Sequence, residues 1–193
     1  MMPMKRFSHT KRLALAALFL AMGLTLPFLT GQIPQIGNML LPMHIPVLVC
    51  GLICGWKYGG VIGLILPPMR YLLFGAPPFP NNVAMACELA AYGALVGLLY
   101  ARSRRKGVVS LYRSLIAAML GGRIVWGAAM IAIIGAAGKS FTWAAFLTSA
   151  FFNAIPGIVL QLVFIPALMV ALDRTGMIPF QPRAELEAGT AKN

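Results

Sequence analysis

From Leu13 to Trp56 the chain contains no Asp, Glu, Lys or Arg, and the same holds from Ser140 to Leu172. Water-soluble domains carry about a quarter charged residues and do not tolerate gaps of that length. Here 60% of residues are hydrophobic and 10% charged, so lipid is the solvent for most of the chain. The building element is then a membrane helix of about 20 apolar residues.

Apolar runs that could span fall at 11–29, 39–55, 58–74, 82–101, 109–137 and 144–172. The second and third are short. Pro42 and Pro46 bound them on one side and the breaker run Gly75 to Pro80 on the other. The expected fold is all-α, a compact bundle of six transmembrane helices. Positive charge sets its orientation. Lys5, Arg6, Lys11 and Arg12 precede the first run, and Lys57 separates the second from the third. Arg102, Arg104, Arg105, Lys106 and Arg113 separate the fourth from the fifth, and Arg174 and Arg183 follow the sixth. The opposite loops hold only Lys139. Both termini are therefore expected to be cytoplasmic and loop 1 extracellular. The organisation that follows is a cytoplasmic segment over 1–11, a membrane domain over 12–173 and a disordered cytoplasmic tail over 174–193.

Several other readings fall away. A net charge of +12 could speak for nucleic acid, but the basic residues flank apolar runs, as a topology signal does. Cys50 and Cys54 stand at C-x-x-x-C, which matches neither redox nor the usual zinc spacing; with Cys87 they read as small packing residues. The first apolar run imitates a signal peptide but lacks a small-residue cleavage site, so it is expected to stay as a helix. Gly135-Ala-Ala-Gly-Lys-Ser140 resembles the end of a phosphate-binding loop, yet Ile133 stands where that motif needs glycine. Neither a cofactor nor a metal is called for. Catalysis lacks parts, since Glu88 is the only buried acid and His9 and His44 are the only histidines.

The polar residues left inside the apolar runs are the candidates for function, because an ionisable group in a bilayer pairs or lines a cavity. At about 1.5 Å per residue, Arg70 lies roughly 6 Å from the end of its run and Glu88 roughly 10 Å in. By the same rise Asn153 lies roughly 13 Å in and Arg123 roughly 20 Å. Asn81, Met85, Glu88 and Tyr92 form one helical stripe; Arg123, Trp126 and Met130 share another, and Asn153, Gly157 and Gln161 a third. Carboxylate, guanidinium, amides and aromatic rings converging on one space suit a small polar ligand with an apolar part. Glu88 and Arg123 could equally form a structural ion pair. Even then Arg70 leaves a positive charge near the outer mouth, a lean toward an anionic ligand. The loop over 30–46 mixes Gln32, Gln35, Asn38 and His44 with three prolines and could act as a lid. His44 is either a ligand contact or a structural group.

Two further patterns concern packing. Ala17 and Ala21 make a small-xxx-small pair on which another helix could lie, inside the fold or from a partner. Gly51, Gly55, Gly59 and Gly63 recur every fourth residue like a dimer motif, but Lys57 marks a turn between them. They read as a tight hairpin between two short helices, with Trp56 and Tyr58 at the interface.

Taken together, the six runs, Ala17 and Ala21, the long loop 1 and the block Leu41-Pro-Met-His-Ile-Pro46 running on to Gly63 resemble the substrate-binding S component of energy-coupling factor (ECF) vitamin transporters. The resemblance covers roughly residues 12–172. It implies a high-affinity site for a vitamin or related micronutrient, facing outward, in a multi-pass protein of a bacterial-type plasma membrane. It implies as partners a transmembrane coupling protein (the T component) and two cytoplasmic ABC-type ATPases, with Ala17 and Ala21 against the coupling protein. It also implies that Asn38, Glu88, Arg123 and Asn153 face the ligand. The expected substrate site is Asn38, His44, Arg70, Asn81, Glu88, Tyr92, Arg123, Trp126 and Asn153. Pantothenate, a small carboxylate, suits the arginines; riboflavin and pyridoxine stay open. The competing reading is an ion-coupled secondary transporter that uses Glu88 as its proton site, which internal repeats would favour; the two halves show none convincing.

Overall fold

The computed structural model describes residues 8–30, 40–103, 107–138, 142 and 154–174. These hold six α-helices: α1 His9–Thr25, α2 His44–Cys54, α3 Trp56–Phe74, α4 Asn81–Arg102, α5 Val108–Ala136 and α6 Ile155–Arg174. A 3-10 turn, Leu26–Thr30, extends α1.

The expectation of six transmembrane helices is corrected here. Among the described residues four helices are long and apolar enough to cross a membrane: α1 with its 3-10 extension, α4, α5 and α6. The shortfall has a local cause. Leu41 takes the left-handed backbone at φ 50, and α2 begins only at His44 and runs 11 residues. That is about 16 Å of helix, half of a hydrocarbon core of about 30 Å. α3 has 19 residues, but its glycines, Pro67, Pro68, Lys57 and Arg70 leave it short of a spanning segment in apolar character. A placing of the termini and loop 1 that counts six spans does not carry over.

Local rules set the helix ends. The Ser8 hydroxyl accepts from the Lys11 N–H at 3.4 Å and caps α1. Gly75 closes α3 in the left-handed region at φ 71, its N–H donating to the Tyr71 carbonyl. Gly55, at φ 100, makes the one-residue joint between α2 and α3, a conformation that a side chain would strain.

α4 is the hub, packing on α2, α3 and α5; α1 closes over α2 and α3, and α6 leans on α5 and α2. The glycines explain how three helices meet at one crossing. A Cβ on Gly59 would lie 2.6 Å from the Gly51 Cα and 2.8 Å from the Gly93 carbonyl oxygen. Backbones of α2, α3 and α4 therefore touch directly. One on Gly97 would stand 2.7 Å from the Trp56 nitrogen. The glycine stretch is a tight hairpin, as expected, but its partner is α4 as much as itself. Around the crossing Val47, Leu48, Leu66, Leu89 and Val96 are buried, as are Leu111 and Leu115 of α5. Cys50 and Cys54 sit in this core as free thiols.

One end of the bundle gathers the basic flanks. His9 packs edge-on to Tyr58 at 6.0 Å, the Lys57 ammonium lies 5.6 Å from the Trp56 ring, and Asp173 interacts with Tyr100. Arg12, Lys57, Arg102 and Arg174 mark that end. The site lies away from it.

Candidate functional site

Glu88 sits about two turns into α4, on one stripe with Met85 and Tyr92. Its carboxylate is 1% exposed. An isolated carboxylate at that depth would be neutralised or expelled, so its partners decide what the interior can do.

Two helices supply them. Arg123 of α5 brings Nη1 to 2.8 Å from Glu88 Oε1, with both groups buried. The approach is an ion pair without the alignment of a hydrogen bond, because Oε1 has no hydrogen-bond partner among the described residues. His44, the first residue of α2, places Nε2 at 3.6 Å from the same oxygen, beyond hydrogen-bond reach. Its ring stands edge-on to Tyr92 at 5.2 Å. α2, α4 and α5 thus converge on one charged centre. α2 can reach it only because it starts inside the bundle.

This centre is under-satisfied. Arg123 Nε and Nη2, both His44 ring nitrogens and Glu88 Oε1 are buried without a hydrogen-bond partner among the described residues. Each such atom costs about 1–3 kcal/mol, more when charged. Gln161 of α6, 1% exposed, carries an Nε2 that is likewise without a hydrogen-bond partner among the described residues. The expected site omitted Gln161, although an isolated amide in an apolar run was visible as a signal. Gly157, one turn earlier, is buried on the same face.

The remaining expected residues divide. Trp126 Nε1 donates to Asn81 Oδ1 at 3.1 Å, joining α5 to the start of α4, and the Asn81 amide donates to Met85 Sδ at 3.5 Å. Both belong to the same α4–α5 seam as the ion pair. Arg70 is engaged elsewhere. Its Nη1 donates to the Leu24 carbonyl at 2.9 Å, and its guanidinium lies 5.5 Å from the Phe28 ring and 5.4 Å from Phe74. It clamps the end of α1 to α3, so the charge expected near the mouth already has a donor–acceptor bond and two aromatic faces. Asn38 and Asn153 lie outside the described residues, as does most of the loop read as a lid.

On α1 the inward residues are Ala16, Phe19 and Gly23, whereas Ala17 and Ala21 face outward. The small pair is therefore not used in the packing among the described helices. No group of three or more His, Cys, Asp or Glu able to hold a metal ion occurs among the described residues.

The family model described as ECF transporter, substrate-specific component, matches residues 11–169. No curated protein and no solved structure matches the chain. Members of that family are multi-pass membrane proteins that take part in small-molecule uptake together with a T component and ATPases. With most of its length matched, the chain belongs to the substrate-specific (S) components of ECF transporters.

Proposed function

We propose that this S component binds a small vitamin-like molecule at the Glu88–Arg123–His44 centre with high affinity and delivers it to an ATP-driven complex in a bacterial-type plasma membrane. The observation that carries the reading is the pair of buried nitrogens on Arg123, Nε and Nη2, that have no hydrogen-bond partner among the described residues. A ligand oxygen placed there satisfies donors that are already desolvated, so binding removes a penalty instead of adding one. Tyr92 and Trp126 offer apolar faces, Asn81 orients Trp126, and His44 and Gln161 supply further polar contacts. Asn38 and Asn153 are assigned to the ligand with them.

The lean toward an anionic solute such as pantothenate rests on Arg123, since Arg70 is engaged by Leu24 and two rings. Glu88 offsets much of the Arg123 charge, so acceptor oxygens matter more than net charge. Outward-facing Ala17 and Ala21 form the surface for the T component.

The test is mass spectrometry of what co-purifies with the full chain in detergent, followed by calorimetric titration with the molecule found. Retention of a vitamin-like solute with at least micromolar affinity supports the reading; retention of none, with no binding across a vitamin panel, overturns it. The proton-coupled alternative draws on the Glu88–His44 approach at 3.6 Å. Uptake by the lone protein in vesicles with an ion gradient and no ATP would favour it.

A further inference from the structure

The outer face of α6 carries a second feature, remote in character from the polar centre. Val163, Pro166, Ala167, Val170, Ala171 and Arg174 line a groove of about 470 Å³, with Tyr112 of α5 as its facing wall. These α6 positions recur at three and four residues, so they form one continuous stripe along the helix. Pro166, Ala167 and Ala171 make it concave because they lack long side chains. The stripe is apolar until its last residue, which is an arginine.

We propose that this groove is a binding site for one anionic phospholipid, with an acyl chain along the stripe and the headgroup phosphate on Arg174. Both walls belong to helices that are long and apolar enough to cross the membrane, and Val163 is 64% exposed on the outside of the bundle. Lipid is the medium that meets such a face. The dimensions agree. From Val163 to Arg174 the helix rises about 16 Å, close to one leaflet of a hydrocarbon core of about 30 Å. The guanidinium therefore sits at headgroup depth when the apolar stripe fills a leaflet. Arg113 adds a second outward cation one residue beyond Tyr112, and the end as a whole is basic. The neighbouring carboxylate, Asp173, interacts with Tyr100 of α4, so the nearest acid in sequence has a partner on another helix. Basic pockets between membrane helices select anionic headgroups for this reason.

The proposal is independent of the vitamin site. Its test is native mass spectrometry of the full chain released from detergent, with phosphatidylglycerol and phosphatidylcholine of identical acyl chains. Adducts with phosphatidylglycerol are expected to exceed those with phosphatidylcholine about fivefold, the weight of one basic contact at a membrane surface. Arg174→Gln should abolish the preference and Arg174→Lys should keep most of it. Ala171→Leu, which fills the groove, should lower phosphatidylglycerol adducts while leaving the protein folded by size-exclusion chromatography. Equal retention of the two lipids overturns the proposal, as does a preference that survives both Arg174→Gln and Ala171→Leu. Competition by inorganic phosphate at millimolar concentration would mark a free-anion point and overturn it too. A large rise in adducts on deleting residues 175–193 would make that segment the occupant, with the same consequence.

Discussion

Arg123 of α5 and Glu88 of α4 meet at 2.8 Å inside the bundle, yet Nε and Nη2 of that guanidinium have no hydrogen-bond partner among the described residues. Each orphaned donor of this kind costs about 1–3 kcal/mol, a cost that a ligand oxygen would offset under the proposed function. The pair is held, and two of its donors stay unmatched among the described residues.

The energetic weight of the pair can be read from a double-mutant cycle. Glu88→Leu alone should destabilise by about 3–5 kcal/mol, because it strands a buried guanidinium. Adding Arg123→Met should recover much of that loss. Unfolding midpoints in detergent for the two single variants and the double variant measure it. Strictly additive losses would show that the two side chains do not act as a pair.

Replacing Arg123 by Lys separates holding Glu88 from gripping ligand. Lysine keeps a cation for the carboxylate but lacks the planar fork and its extra N–H groups. Affinity for the co-purified solute should fall by about 2–5 kcal/mol, with a much smaller change in unfolding midpoint. Calorimetry and thermal unfolding on the same preparation check both halves.

Arg70 should behave as a clamp. Arg70→Gln removes a charge-assisted bond to the Leu24 carbonyl and two cation–π contacts, so a loss of about 2–4 kcal/mol is expected from their combined scale. Phe28→Leu and Phe74→Leu should each cost less, about 1 kcal/mol. Thermal unfolding of the three variants ranks them; an Arg70→Gln protein as stable as the parent would contradict the clamp.

Two adjacent glycines should respond in opposite ways. A Cβ on Gly59 would press on backbone of α2 and α4 at 2.6 and 2.8 Å, whereas one on Gly60 would meet the Ala94 Cβ at an ordinary 3.5 Å. Gly59→Ala should destabilise by about 3 kcal/mol, the upper range for overpacking, since backbone cannot step aside. Gly60→Ala should be neutral or stabilising by a few tenths up to about 1 kcal/mol. The folded fraction after size-exclusion chromatography distinguishes them.

A bulky residue on the outer face of α1 tests the assigned partner surface. Ala17→Leu should leave the lone subunit able to bind its solute and should reduce ATP-driven uptake by the assembled complex. Binding and uptake assays on the same variant check it, and unchanged uptake would remove Ala17 from the interface.

Much of the molecule was legible in its order of residues. Uncharged runs required lipid and helices, the breakers Gly75 to Pro80 ended α3, and helical period put Asn81, Met85, Glu88 and Tyr92 on one face of α4, of which Glu88 and Tyr92 are buried. The family resemblance, drawn from the apolar runs, the Ala pair, loop 1 and the Leu41-to-Gly63 block, agrees with the match over residues 11–169. The tertiary structure decided the rest, because depth and partnership are not local properties. Hydropathy cannot show that α2 starts at His44 and brings that imidazole to 3.6 Å from Glu88; the left-handed Leu41 and the need to meet α4 do that. Nor can it show that Arg70 is held by the Leu24 carbonyl, 46 residues away. Local pattern determines which residues must leave water, and only packing determines which of them find one another.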